Sequence, residues 1–127
     1  MLETYFQGLL DAIAASPIVR LHDVTLDKRA PRAGLIRGAL YFADGSRLHF
    51  RELVEFQTNV IRLRYSYHYQ RADNSLIFRY DDTAHHTDLP SFPHHKHVSD
   101  ETEVISASPP DLHAVLREIE ATFPLDT

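Results

Sequence analysis

Apolar residues at Leu2, Tyr5, Phe6, Leu9, Leu10 and Ile13 recur at the i, i+3, i+4, i+7 interval of one helix face, which predicts an amphipathic helix over residues 2–16. Ser16-Pro17 ends it, because the residue before a proline is driven out of the α region. The period then changes to two. Residues 18–27 are rich in β-branched and aliphatic side chains, with Val19 and Leu21 in one phase and Val24 and Leu26 in the other. That change of phase predicts a bulge near Asp23. Lys28-Arg29-Ala30-Pro31-Arg32 reads as a basic connecting loop. Two further strands, 35–42 and 48–56, are joined at Asp44-Gly45, a pair that tolerates the positive φ of a hairpin turn. A two-residue turn there would set Tyr41 opposite Leu48, Ala39 opposite Phe50 and Arg37 opposite Glu52, the last as a cross-strand ion pair.

The clearest alternation runs from Val60 to Gln70. Ile61, Leu63, Tyr65, Tyr67 and Tyr69 fall on one face as core, and Arg62, Arg64, Ser66, His68 and Gln70 fall on the other. Asp73-Asn74 supplies a turn, and residues 76–81 return along the same strand. Pairing about that turn sets Tyr69 opposite Phe78 and Tyr67 opposite Tyr80 on the apolar side, with His68 opposite Arg79 and Ser66 opposite Asp81 on the polar side. Arg64, Ser66, His68, Arg79 and Asp81 therefore cluster on one sheet face.

Residues 82–103 lack periodicity and contain Pro90 and Pro93, so they read as a long His-rich excursion of the kind that is commonly functional. Asp100-Glu101-Thr102-Glu103 reads as a solvated turn, and Val104-Ile105 as a short strand. Ser108 as N-cap and Pro109 at the first helical position open a final helix over 109–123. Its apolar stripe is Leu112, Val115, Leu116, Ile119 and Phe123. The expected fold is a single α+β domain, an antiparallel sheet of five or six strands with N- and C-terminal helices packed on one face.

Composition narrows the classes. A chain of 127 residues with 43% apolar content is long enough to bury its own core. It has no cysteine, so neither disulfides nor thiolate metal sites are available, and any metal ligands must be imidazoles or carboxylates. No apolar run approaches the ~18 residues of a membrane span. Glu3 and Asp11 interrupt the N-terminus, so no secretion signal is expected and a cytoplasmic location is the default. The net charge of −5 is uneven: residues 1–64 carry nine Lys/Arg against seven Asp/Glu, and residues 65–127 carry four against eleven. A general nucleic-acid binder is not expected from that balance, whereas a local basic groove is compatible with it.

Five of the nine histidines lie between His85 and His97. Imidazole exchanges protons near neutral pH and also ligates metals. Three chemistries fit. The first is metal-free RNA cleavage, in which histidines or a His/Asp pair act as base and acid while Arg79 and Arg64 stabilise the phosphorane. The second is binding of a divalent transition metal by His94, His95 and His97, completed by His85, His86 or Asp81. The third is a non-catalytic role in which the histidines dock a partner chain.

Tyr65-Ser66-Tyr67-His68-Tyr69, Phe78-Arg79-Tyr80-Asp81-Asp82-Thr83-Ala84-His85-His86 and Phe92-Pro93-His94-His95-Lys96-His97 resemble the TumE family of small toxin-antitoxin proteins. The Asp44-Gly45-Ser46 turn and the Pro-initiated final helix are also similar, so the resemblance spans nearly the whole chain. It implies a toxin encoded beside an antitoxin that carries a helix-turn-helix DNA-binding domain, acting inside the cell on RNA or translation. Taken with the strand pairing, the expected catalytic set is His68, Arg79, Asp81, His86, His95 and His97. Arg64, His85, His94 and Lys96 are the expected substrate contacts, with no cofactor needed.

Overall fold

The computed structural model describes residues 1–82, 94–98, 104–106 and 109–124. Helix α1 (Leu2–Ala15) precedes strands β1 (Val19–Ala30), β2 (Ala33–Phe42), β3 (Arg47–Phe56), β4 (Val60–Gln70), β5 (Leu76–Asp81), β6 (His95–Val98) and β7 (Val104–Ser106), and helix α2 (Leu112–Glu120) follows. The strands lie side by side in chain order as one antiparallel sheet. This is the expected α+β architecture, with six strands of four or more residues and a three-residue seventh. The sixth, His95–Val98, lies inside the stretch read from sequence as an excursion.

Both helices cover the same sheet face. Leu2 and Ile13 of α1 and Leu112, Val115, Leu116 and Ile119 of α2 join Ile36, Leu40, Phe50, Tyr67 and Phe78 of the sheet in one buried cluster. Ser16 Oγ donates to Glu120 Oε2 at 2.9 Å, tying the end of α1 to α2. Helix α2 starts later than the prolines suggest. Asp111 is its N-cap and its carboxylate accepts from Ala114 N at 2.7 Å, while Ser108, the expected cap, lies outside the described residues. No helix among the described residues is long and apolar enough to cross a membrane.

Three local features reset the expected registers. The β2–β3 turn sets three residues, 43–45, between the hydrogen-bonded Phe42 and Ser46: Phe42 N donates to Ser46 O at 2.9 Å, Gly45 N donates to Phe42 O at 3.0 Å, and Gly45 adopts φ 85°. The odd loop shifts the pairing by one residue, so Leu40 faces Leu48, Gly38 faces Phe50 and Ile36 faces Glu52. The expected Arg37–Glu52 pair does not form, because Arg37 faces Arg51 on one side of the sheet and Glu52 is fully buried on the other. In β1 the register shifts fall at Val19/Leu21 and Lys28/Ala30, and Asp23 continues the ladder opposite Ala39. Lys28, Arg29 and Ala30 thus belong to the strand.

The third feature lies in β4. Leu53 pairs with Arg64 and Val54 with Arg62, which leaves Leu63 as an extra residue. Upstream of this bulge the faces exchange. Ile61 and Leu63, expected in the core, are 40% and 44% exposed, and Arg62 turns toward the helices. Downstream, Tyr65, Tyr67 and Tyr69 are buried as expected.

Candidate functional site

Strand alternation and the Asp73-Asn74 turn set the site. Asp73 Oδ1 accepts from Ser75 N at 2.9 Å and Asn74 takes φ 74°, closing the β4–β5 hairpin. Its register sets His68 opposite Arg79 and Ser66 opposite Asp81 as expected, and β6 extends both rows. One row runs His49, His68, Arg79, His97 across β3 to β6. The adjacent row runs Arg51, Ser66, Asp81, His95. His49, His68, Arg79 and His97, with Arg51, Ser66 and Asp81, lie on the sheet face away from the helices.

Arg79 is held from two sides. Its Nε donates to Asp81 Oδ2 at 2.9 Å, and its Nη2 lies 3.0 Å from His97 Nε2. His97 Nε2 is also 3.6 Å from Asp81 Oδ2. Asp81 is only 4% exposed and His97 only 3%. A guanidinium has donors and no acceptor, so in a hydrogen bond between the two Arg79 donates and His97 Nε2 accepts. The Arg79–Asp81 bond is charge-assisted and largely desolvated, which fixes the guanidinium more firmly than a surface pair would. His68, opposite Arg79, is half-buried, and His49 beyond it is exposed.

Beside this group is an open groove of about 530 Å³ lined by Arg29, Arg51, Arg64, Leu35, Leu53, Tyr65, Ser66 and Asp82. Asp82 Oδ1 accepts from Tyr65 N at 3.2 Å, closing one end. Arg29 pairs with Asp27 at 3.2 Å. Arg37, Arg51 and Arg64 are exposed, and among the described residues they have no ion pair or side-chain hydrogen bond.

Two expected substrate contacts lie elsewhere, because alternation along β6 sends neighbours to opposite faces. Lys96 is on the helix side, where Nζ donates to Glu118 Oε2 at 2.7 Å and sits 5.0 Å and 4.8 Å from the ring centres of Phe78 and Tyr80. Burial opposes its charge, but hydrogen bonds to Glu118 and Tyr80 outweigh that and raise its pKa above the usual lysine value. His94 stacks on Tyr65 with ring centres 5.7 Å apart, and its Nδ1 is 2.9 Å from Tyr65 Oη. His94 and His97 thus engage different partners and do not converge with each other. Among the described residues no group of three His, Asp or Glu is placed to hold a metal ion. His85 and His86 lie outside the described residues, and His95 is placed by its backbone pairing with Asp81.

Sequence reasoning paired Glu52 with Arg37 and missed its buried role. Glu52 accepts hydrogen bonds from Tyr5 Oη and, at 2.7 Å, from Tyr67 Oη, and Arg62 Nη1 donates to Tyr67 Oη at 2.8 Å. Burial, and then the Glu52 charge, push the Tyr5 and Tyr67 hydroxyls far above their ordinary titration range. The phase of Leu48, Phe50, Glu52 and Val54 marked this carboxylate as inward, and the same alternation marked Arg47, His49 and Arg51 as outward.

A protein-family model described as Toxin TumE matches residues 9–123, taking in the whole sheet and α2. No curated protein and no solved structure matches the chain.

Proposed function

Because the chain belongs to the TumE toxin family, with the cognate antitoxin partner that membership implies, we propose that it acts on RNA by metal-independent acid–base cleavage at the open sheet face. The observation that carries this reading is the clamped Arg79. A guanidinium held by a buried carboxylate and an imidazole, in register beside a half-buried histidine, is a preorganised cation for charge developing on a phosphoryl group. In the reaction a base takes the proton of the 2′-hydroxyl and the 2′-oxygen attacks the adjacent phosphorus. The bond from phosphorus to the 5′-oxygen breaks as an acid protonates that oxygen, which leaves a 2′,3′-cyclic phosphate on one fragment and a 5′-hydroxyl on the other.

Burial divides the roles. Asp81 and His97 position Arg79, and Arg79 and His68 meet the substrate. His68 serves as one proton-transfer group, and His86 or His95 supplies the second. The antitoxin is expected to carry a helix-turn-helix DNA-binding domain, with both proteins in the cytoplasm.

Induced expression in bacteria with mapping of transcript ends tests the reading. Growth arrest and RNA fragments ending in cyclic phosphate are expected, with purified protein active in chelator and the Arg79→Ala variant inactive. Arrest with intact RNA would assign the toxin another target. Activity lost in chelator and restored by a divalent transition metal would replace the acid–base route with a metal site drawing on His94, His95 or His97.

A further inference from the structure

We propose that the arginine-lined groove between Leu35, Leu53 and Tyr65 is a binding track for single-stranded RNA, seating one nucleotide and leading its backbone toward Arg79. This deepens the proposed function and rests on it. The chain carries a net charge of −5, yet Arg37, Arg51 and Arg64 all project from one face, exposed and without a carboxylate partner among the described residues. In an acidic protein, cations that serve only solubility or structure are expected to be scattered or paired. Three gathered on one face instead complement a polyanion.

The groove matches that ligand in size and in chemistry. At about 530 Å³ it falls within the ~300–1,000 Å³ range of small-ligand sites. Leu35 and Leu53 offer apolar wall to a base or ribose, and Arg51 and Arg64 offer donors to a phosphate. An acidic protein segment would use the arginines but would have less use for the apolar wall. Continuity with the reactive group favours RNA as well. Arg51, Ser66 and Asp81 are in register on β3, β4 and β5, so with strands ~4.8 Å apart Arg51 lies about 10 Å from Asp81 along the row. A strand seated in the groove and crossing Ser66 therefore reaches Arg79 without leaving the face.

The test is fluorescence anisotropy of the full-length chain with a labelled, 2′-O-methylated oligouridylate, which lacks the attacking hydroxyl and stays intact whatever the catalytic outcome. Binding should weaken with salt. Arg51→Gln and Arg64→Gln should each lower affinity about tenfold and flatten the log–log salt slope by about 0.7. Arg117→Gln, an exposed charge on α2, should change neither. Equal salt slopes in all three variants, with circular dichroism unchanged, would overturn the track. So would polyglutamate binding more tightly than the oligouridylate with the same arginine dependence, which would assign the face to an acidic protein partner. Arginine-dependent binding without cleavage of unmodified RNA would support the track and remove the acid–base reading. Cleavage with arginine-independent binding would remove the track alone.

Discussion

Arg62 Nη1 donates to Tyr67 Oη at 2.8 Å, a contact between two residues that strict alternation along β4 would set on opposite faces. The extra residue Leu63 brings them together, and so carries a cation to the edge of a core that holds the Glu52 carboxylate. Tyr5 and Tyr67 hydroxyls bridge α1, β3 and β4 through Glu52. Removing the carboxylate leaves the buried Tyr67 hydroxyl and the half-buried Tyr5 hydroxyl without their acceptor and Arg62 without a nearby countercharge. Glu52→Ala should therefore cost about 3 kcal/mol or more, and Glu52→Gln, which still accepts, clearly less. Urea denaturation midpoints decide. A loss in Glu52→Ala no larger than in Glu55→Ala, at a more exposed position of the same strand, would show that the network contributes little.

The same network makes stability fall at alkaline pH. The Tyr5 and Tyr67 hydroxyls are raised from an ordinary value of 10.0, by burial first and by Glu52 next. Above that value the unfolded chain loses these protons while the folded chain keeps them. The stabilisation is complete below pH ~10 and declines as pH rises, by up to about 1.4 kcal/mol per pH unit for the Tyr67 proton and by less for half-buried Tyr5, whose shift solvent screens. In melts recorded across pH 9–11, Tyr67→Phe should lower this slope by about half a proton at pH 10 and by about one at pH 11. An unchanged slope would mean that Tyr67 does not titrate on unfolding.

The face assignment of His68, Arg79 and Asp81 was legible because Asp73-Asn74 leaves one consistent pairing and the tyrosines mark the buried phase. Where the reading failed, a single residue was inserted. Gly45 adds one to the β2–β3 loop and sets Ile36 in place of Arg37 opposite Glu52, so the expected ion pair gives way to a carboxylate buried in the core. Leu63 adds one to β4, exposing Ile61 and turning Arg62 inward. A bulge leaves hydrophobicity unchanged while reversing every side chain beyond it, so composition cannot reveal it. The histidine stretch hid β6 for another reason. His95-Lys96-His97-Val98 is polar on both faces, because Lys96 is satisfied by Glu118 and His97 by Arg79, partners remote in sequence.

Gly38 is required by packing. A Cβ there would meet Phe50 Cε1 at 2.3 Å, across the ladder where the two residues are paired. Phe50 is 1% exposed and its ring lies 6.2 Å from that of Tyr67, so it cannot withdraw without disturbing the core. Gly38→Ala should destabilise by about 1–3 kcal/mol. Combining it with Phe50→Leu should cost less than the two changes added separately, because the smaller side chain admits the methyl group. Strict additivity in thermal melts would exclude this contact as the cause.

Lys96 and Asp81 should separate stability from toxicity. Their backbones are one strand apart, but Lys96 faces α2 whereas Asp81 faces Arg79 and His97. Lys96→Ala removes a partly buried bond to Glu118, also the acceptor for Tyr80 Oη at 2.6 Å, and should cost about 1–2 kcal/mol. Corrected for the folded fraction, its toxicity should equal that of the unaltered chain. Asp81→Asn keeps the side-chain volume and an acceptor, yet removes the charge that fixes the guanidinium. RNA cleavage should fall by about 100-fold or more while the protein stays folded at assay temperature. Growth after induction, read beside melting temperature for both variants, tests the division. Loss of toxicity in Lys96→Ala at full folding would place the helix side of β6 in the functional surface, and full activity in Asp81→Asn would remove the clamped arginine from the reaction.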